Sequence, residues 1–175
     1  MTQTAADRAK LVRLAIFDVD GVLTDGTLLM NELGEEIKAF NTLDGHGLKM
    51  LQNSGVELAI ITGRTSRSVE MRAKNLGINH LYQGAEHKLE TLTTLLAALK
   101  LDASAVMFMG DDVVDLPAMR YCGFAACVPG APHIVKQHSH YVSRADGGRG
   151  AVREVCEFIM QAQGTLDKQM EKYLA

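Results

Sequence analysis

Four short strand-like runs, largely apolar and each stopping at a polar or acidic residue, constrain this chain more than any other feature. Leu14 to Phe17 runs into Asp18, Val56 to Ile61 into Thr62, Ile78 to Tyr82 into Gln83, and Val106 to Met109 into Gly110 and Asp111. Short apolar runs without polar alternation read as strands buried on both faces. Between them lie helical spacings: Val69, Ala73 and Leu76 within Ser66 to Leu76, and Leu89, Leu92, Leu96 and Leu99 within Glu86 to Lys100. Strands alternating with helices imply right-handed crossovers and an α/β fold, a doubly wound parallel sheet of Rossmann-like type. In such a sheet the crevice lies at the carboxyl ends of the strands. Asp18, Asp20, Thr62, Asp111, Asp112 and Asp115 all follow strand ends, so one topology gathers them.

The remaining segments fit around that frame. Residues 26–40 read as a β-hairpin turning at Asn31 to Glu36, a flap beside Asp20. Asn41 to Gly47 reads as a polar, glycine-rich loop opening a short helix that ends at Gly55. Phe124 to Val128 and the segment around Tyr141 and Val142 read as two further strands, and Ala151 to Gln163 as the last core helix. The tail, 164–175, spaces Leu166, Met170 and Tyr173 as a weak amphipathic helix that docks on a partner.

At 175 residues, 47% of them hydrophobic, the chain can build one good core, and residues 1–175 read as a single domain. A net charge of -3, no Trp and no basic stripe argue against nucleic acid. No apolar run approaches the ~20 residues of a membrane span, and the first ten residues lack a signal peptide's apolar stretch, which points to the cytoplasm. Cys122, Cys127 and Cys156 sit in apolar surroundings and read as reduced, packed thiols.

Phosphoryl transfer needs an in-line nucleophile and positive charge around the equatorial oxygens. Asp18 is the candidate nucleophile, and Asp20 the acid for the leaving alcohol and then the base for water. The two carboxylates repel, and a hard dication relieves this: Asp18 and Asp111 would offer oxygens to Mg²⁺. Lys88, in the first turn of its helix where the dipole disfavours a cation, would balance Asp18, and the Thr62 hydroxyl would bind a phosphoryl oxygen.

Asp18-Val19-Asp20-Gly21-Val22-Leu23-Thr24, Thr62-Gly63-Arg64, Lys88 and Gly110-Asp111-Asp112-Val113-Val114-Asp115 resemble, in order, the four motifs of the haloacid-dehalogenase-like phosphatases. That resemblance implies a metal held by Asp18, the backbone carbonyl of Asp20, and Asp111. The intervals between the motifs leave no room for a cap domain. The resemblance extends to Gly34 to Asn41, Asp44 to Lys49, Leu81 to Gly84 and Gly147 to Glu154, which look like the 3-deoxy-D-manno-octulosonate 8-phosphate phosphatase family. It implies a capless homotetramer hydrolysing that ester for lipopolysaccharide synthesis. The substrate contacts it implies fall on Asn41, Thr42, Leu43, Asp44, Gly45, Lys49, Arg64 and Arg72, beside Asp20 and Lys88. Leu43 and Lys49 stand where some members have Arg.

A nine-carbon acid-sugar 9-phosphate is the alternative substrate on the same scaffold. A phosphoacceptor signalling domain also combines Asp, Mg²⁺, Thr and Lys, but its acidic pair comes at the first strand and its phosphorylated Asp at the middle one, whereas here Val56 to Ile61 ends in Thr62. His133, His138 and His140 lack an accompanying carboxylate and read as ordinary polar positions. His46 reads either as a substrate contact or as a loop hydrogen bond. Asp112 and Asp115 read as residues that orient the metal shell, and Arg149 and Arg153 as solvated charges or reach to a neighbouring site.

Overall fold

The computed structural model describes residues 3–174. In chain order the elements are α1 (Ala5–Ala9), β1 (Leu14–Phe17), β2 (Leu29–Met30), β3 (Glu36–Ile37), α2 (Thr42–Asn53), β4 (Glu57–Ile61), α3 (Arg67–Leu76) and β5 (His80–Tyr82). Then follow α4 (Lys88–Leu99), β6 (Val106–Gly110), α5 (Leu116–Tyr121), β7 (Phe124–Cys127), α6 (His133–Gln137), β8 (Tyr141–Val142), α7 (Ala151–Gln163) and α8 (Leu166–Leu174). Six strands form one parallel sheet in the order β5-β4-β1-β6-β7-β8, and β2 and β3 form a separate antiparallel hairpin.

All four residues of β1 are buried, and it pairs with β4 on one side and β6 on the other. Phe17 lies in register with both Ile60 and Met109. Asp18 therefore emerges between Ile61 and Gly110, one residue before Thr62 and Asp111 leave their own strands. The Asp18 N–H still donates to the Met109 carbonyl at 3.0 Å, so the nucleophile candidate is anchored in the sheet.

After Asp18 the chain folds into a wide turn closed by the Thr24 N–H on the Val19 carbonyl at 3.0 Å. Gly21 takes φ +86° in that turn, and a Cβ there would run into the Asp111 carboxylate. Gly147 and Gly148 then lie backbone to backbone against the same turn: the Gly148 N–H donates to the Val22 carbonyl at 2.9 Å, and a Cβ at Gly147 would strike the Gly21 carbonyl.

Several sequence boundaries move. The 41–47 stretch is not a loop; Asn41 caps α2, its Oδ1 accepting from the Leu43 N–H at 2.8 Å, and Thr42 onward is helical. The hairpin strands shrink to two residues each, and they pair with each other rather than with the main sheet. The tail docks on its own chain, with Leu166 and Met170 against the core, which corrects the expectation of a helix that docks only on a partner. Helix α1 carries no strong apolar stripe and is absent from the sequence reading.

Candidate active site

At the carboxyl edge of the sheet, a cleft of about 280 Å³ is lined by Asp18, Asp20, Thr62, Arg64, Lys88 and Asp111 among others. The catalytic candidates of the sequence reading are thus brought together. Lys88, the first residue of α4, is 5% exposed, and its ammonium lies 2.8 Å from Asp18 Oδ2 and 2.5 Å from Asp115 Oδ1. Burial pulls the Lys88 ammonium downward, but Asp18 and Asp115 outweigh it and hold the group above its ordinary value. A cation at a helix N-terminus is thereby explained by the carboxylates it faces.

Asp18, Asp111 and Asp115 place carboxylate oxygens within 4.8 Å of one another, the one such grouping of acidic, imidazole and thiol side chains among the described residues. Asp115 is already engaged: besides Lys88, its Oδ2 accepts from the Asp111 N–H at 3.0 Å and the Asp112 N–H at 3.2 Å. The oxygens left for a cation are those of Asp18 and Asp111, with Asp115 bracing the loop. Burial first, and then the Asp115 charge, push Asp18 up to about 6; burial and then Asp18 and Asp115 push Asp111 up to about 7. A crowded set of hard oxygens whose protons are held this strongly is what a small dication satisfies. The donor set fits Mg²⁺. Asp112 caps the next turn, its Oδ1 accepting from the Val113 N–H at 2.7 Å.

Asp20 lines the same cleft, but its carboxylate meets Lys38 and, at 3.9 Å, Arg64 Nε. Arg64 Nη2 also donates to Glu36 Oε2 at 2.5 Å. Lys38 and Glu36 escaped the sequence reading. The available signal was extended-chain alternation from β3 into the residue after it, which sets Glu36 and Lys38 on one side and Ile37 on the other.

The predicted substrate contacts divide. Arg64 and Lys88 line the cleft, whereas Asn41, Gly45 and Arg72 form a second group at the start of α2. Arg72 donates to the Asn41 carbonyl at 3.0 Å, and its guanidinium lies over the Phe40 ring with 5.7 Å to the centroid. Gly45 leaves the space that Arg72 occupies. Thr42, Leu43 and Lys49 are exposed on α2. Asp44 is buried and faces inward: its oxygens accept from the Gly150 N–H at 3.2 Å and the Arg153 N–H at 2.9 Å, capping α7.

His46 Nε2 shares a 2.9 Å hydrogen bond with Tyr173 Oη. Arg149 and Arg153 pair with Asp25 and Glu157 of their own chain. His140 Nδ1 accepts from the Ala125 N–H at 2.9 Å, an edge-strand role, and the three cysteines are free and buried. No helix among the described residues is long and apolar enough to cross a membrane.

Residues 29–123 match the model of the haloacid dehalogenase-like hydrolases. A 3-deoxy-D-manno-octulosonate 8-phosphate phosphatase of Yersinia pestis is 48% identical over 160 residues, covering 91% of this chain and 86% of that protein. The protein of the same name from Escherichia coli K12 is 47% identical over 161 residues, covering 92% and 86%. Among solved structures, a probable YrbI-family phosphatase of Pseudomonas syringae superposes with a TM-score of 0.97 at 52% identity, covering 99% of both chains. The Moraxella catarrhalis 3-deoxy-D-manno-octulosonate 8-phosphate phosphatase, in complex with magnesium, phosphate and KDO, superposes with a TM-score of 0.95 at 44% identity, covering 97% of both.

Proposed function

Because this chain belongs to the haloacid dehalogenase-like hydrolases, and among them to the 3-deoxy-D-manno-octulosonate 8-phosphate phosphatases, we infer that it hydrolyses that ester to the free acid sugar and inorganic phosphate. The observation that carries the reading is the buried Asp18 at the end of the central strand, charge-balanced by Lys88 and facing Asp111 and Thr62 across one cleft. The product supplies lipopolysaccharide precursor synthesis.

Asp18 attacks phosphorus in line, and the sugar oxygen departs with a proton from Asp20, leaving an aspartyl-phosphate. Asp20 then takes a proton from water as that water attacks phosphorus, and Asp18 is regenerated. Lys88 stays within reach of Asp18 throughout and balances the charge there, while the Thr62 hydroxyl binds a phosphoryl oxygen. Asp18, Asp111 and the Asp20 carbonyl would hold a Mg²⁺ ion, which would supply positive charge at the phosphoryl oxygens.

Arg64, Arg72 and Lys49 supply cations for the sugar carboxylate, with Asn41, Thr42, Leu43 and Gly45 beside them. The whole chain, 1–175, acts as one domain in the cytoplasm. The assembly is a homotetramer: Leu28, Leu29, Met30, Leu33 and Ile37 are all exposed on or beside the hairpin, an apolar surface that a second copy would cover.

The test is phosphate release, with Mg²⁺ and with chelator, from the eight-carbon 8-phosphate, a nine-carbon acid-sugar 9-phosphate and simple sugar phosphates. A metal-dependent preference for the first is expected. Equal rates on all three would reduce the reading to a general phosphatase.

A further inference from the structure

The hairpin brings a lysine against Asp20, at the cleft's edge, for which the reaction above has no use. The Lys38 side chain is 2% exposed, in a class of residue that is otherwise almost always solvated. Its ammonium sits between Asp20 Oδ1 and Glu36 Oε1, and Arg64 closes the ring by contacting Glu36 Oε2 at 2.5 Å and Asp20 Oδ2 at 3.9 Å. Two cations and two carboxylates thus alternate around one circuit, which compensates the withdrawal of the ammonium from water.

Hairpin docking alone would be served by any surface carboxylate. Lys38 instead holds the one carboxylate whose aim decides both proton transfers, and it holds a single oxygen of it. A carboxylate that is to exchange a proton within the short window of a transition state gains from being held in one rotamer. We propose that Lys38 is a positioning residue for Asp20: it fixes Oδ1, so that Oδ2 is the oxygen that gives its proton to the leaving sugar oxygen and later takes one from water. Lys38 keeps its own protons in both steps. The assignment rests on the phosphatase reading above, and Glu36 and Arg64 serve it by holding Lys38 in place.

Leaving-group chemistry tests it. A sugar alkoxide needs a proton to depart, whereas nitrophenolate does not. Lys38→Met and Lys38→Gln, both checked for fold by circular dichroism, are compared with the native protein in single-turnover reactions on the acid-sugar 8-phosphate and on p-nitrophenyl phosphate. On the sugar ester the first turnover should slow by about 10- to 100-fold with KM within about twofold, a share of the 10²–10⁴ typical of general acid catalysis. The nitrophenolate burst should keep its native rate, and Lys38→Arg should recover part of the sugar-ester loss. In an Asp20→Asn background, Lys38→Met should cost nothing further. Equal slowing on both esters, or a loss that adds to that of Asp20→Asn, would overturn the proposal and leave Lys38 as a docking contact. Failure of the native protein to release phosphate from either ester would instead overturn the phosphatase reading itself.

Discussion

Replacing Asp44 by Ala separates two roles for that residue. Family resemblance puts it among the substrate contacts, whereas its carboxylate caps α7 through the Gly150 and Arg153 N–H groups, both on the far side of the sequence. Burial pushes Asp44 up from the ordinary carboxylate range, and the Arg153 and Gly150 N–H groups oppose that shift. Removing the carboxylate leaves two helix N-terminal donors without their partner in a packed interface. A hydrogen bond to a charged group contributes about 1.5–3 kcal/mol and a cap about 0.5–2 kcal/mol, so a net loss of roughly 3 kcal/mol is expected once the cost of burying the charge is set against them. For a chain of this length that is a fall of about 6–12 °C in Tm. Asp44→Asn keeps one acceptor oxygen but turns an amide N–H toward a backbone N–H, and should lose roughly half as much. Thermal unfolding followed by circular dichroism at fixed protein concentration measures both, alongside KM for the 8-phosphate. A Tm within about a degree of native, joined to a tenfold rise in KM, would refute the capping role and restore the substrate contact.

Asp18→Asn should lower turnover of the sugar ester by on the order of 10³-fold or more with the fold intact; retained phosphate release would show that another group attacks phosphorus. Arg72→Ala should raise KM for the acid sugar about tenfold while leaving simple sugar phosphates unaffected, read from initial rates on each. The pH response has a definite sign. Asp18 and Asp111 titrate at about 6 and about 7 in the folded chain, against 3.8 ordinarily, so without metal the folded state holds extra protons between those values. The resulting penalty is absent below about pH 4 and complete above about pH 7, so metal-free stability should fall as pH rises. Mg²⁺ needs the ionised carboxylates, and the gain in Tm on adding it should widen from pH 5 to pH 8; a constant gap would remove these two residues from the metal site.

The sheet and its reactive edge were legible because buried parallel strands write themselves as unbroken apolar runs, and β1 appears at Leu14–Phe17 just as read. Asp18, Thr62 and Asp111 fell into one cleft because each follows such a run. The cap that Asp44 forms on α7 was not legible for a physical reason: that helix begins at Ala151, and no local pattern couples residues so distant in sequence. Lys38 was missed as one of 18 Lys and Arg residues. Only the alternation of Glu36, Ile37 and Lys38 hinted that a charged face turned inward. The tail was read as docking on a partner because Leu166 and Met170 form a thin stripe, enough to dock beside α7 though too little to show it in advance.

The backbone contact of Gly147 and Gly148 with the turn after Asp18 ties the reactive residue to a segment far along the chain. Asp44 waits in the same way for α7. Contacts between segments this distant in sequence carry a large loop-closure cost, so the turn around the nucleophile gains its buttress late in folding, and competence arrives with it. For the same reason, a change that frees Gly147 and Gly148 from that turn would disturb a site to which they contribute no reacting group.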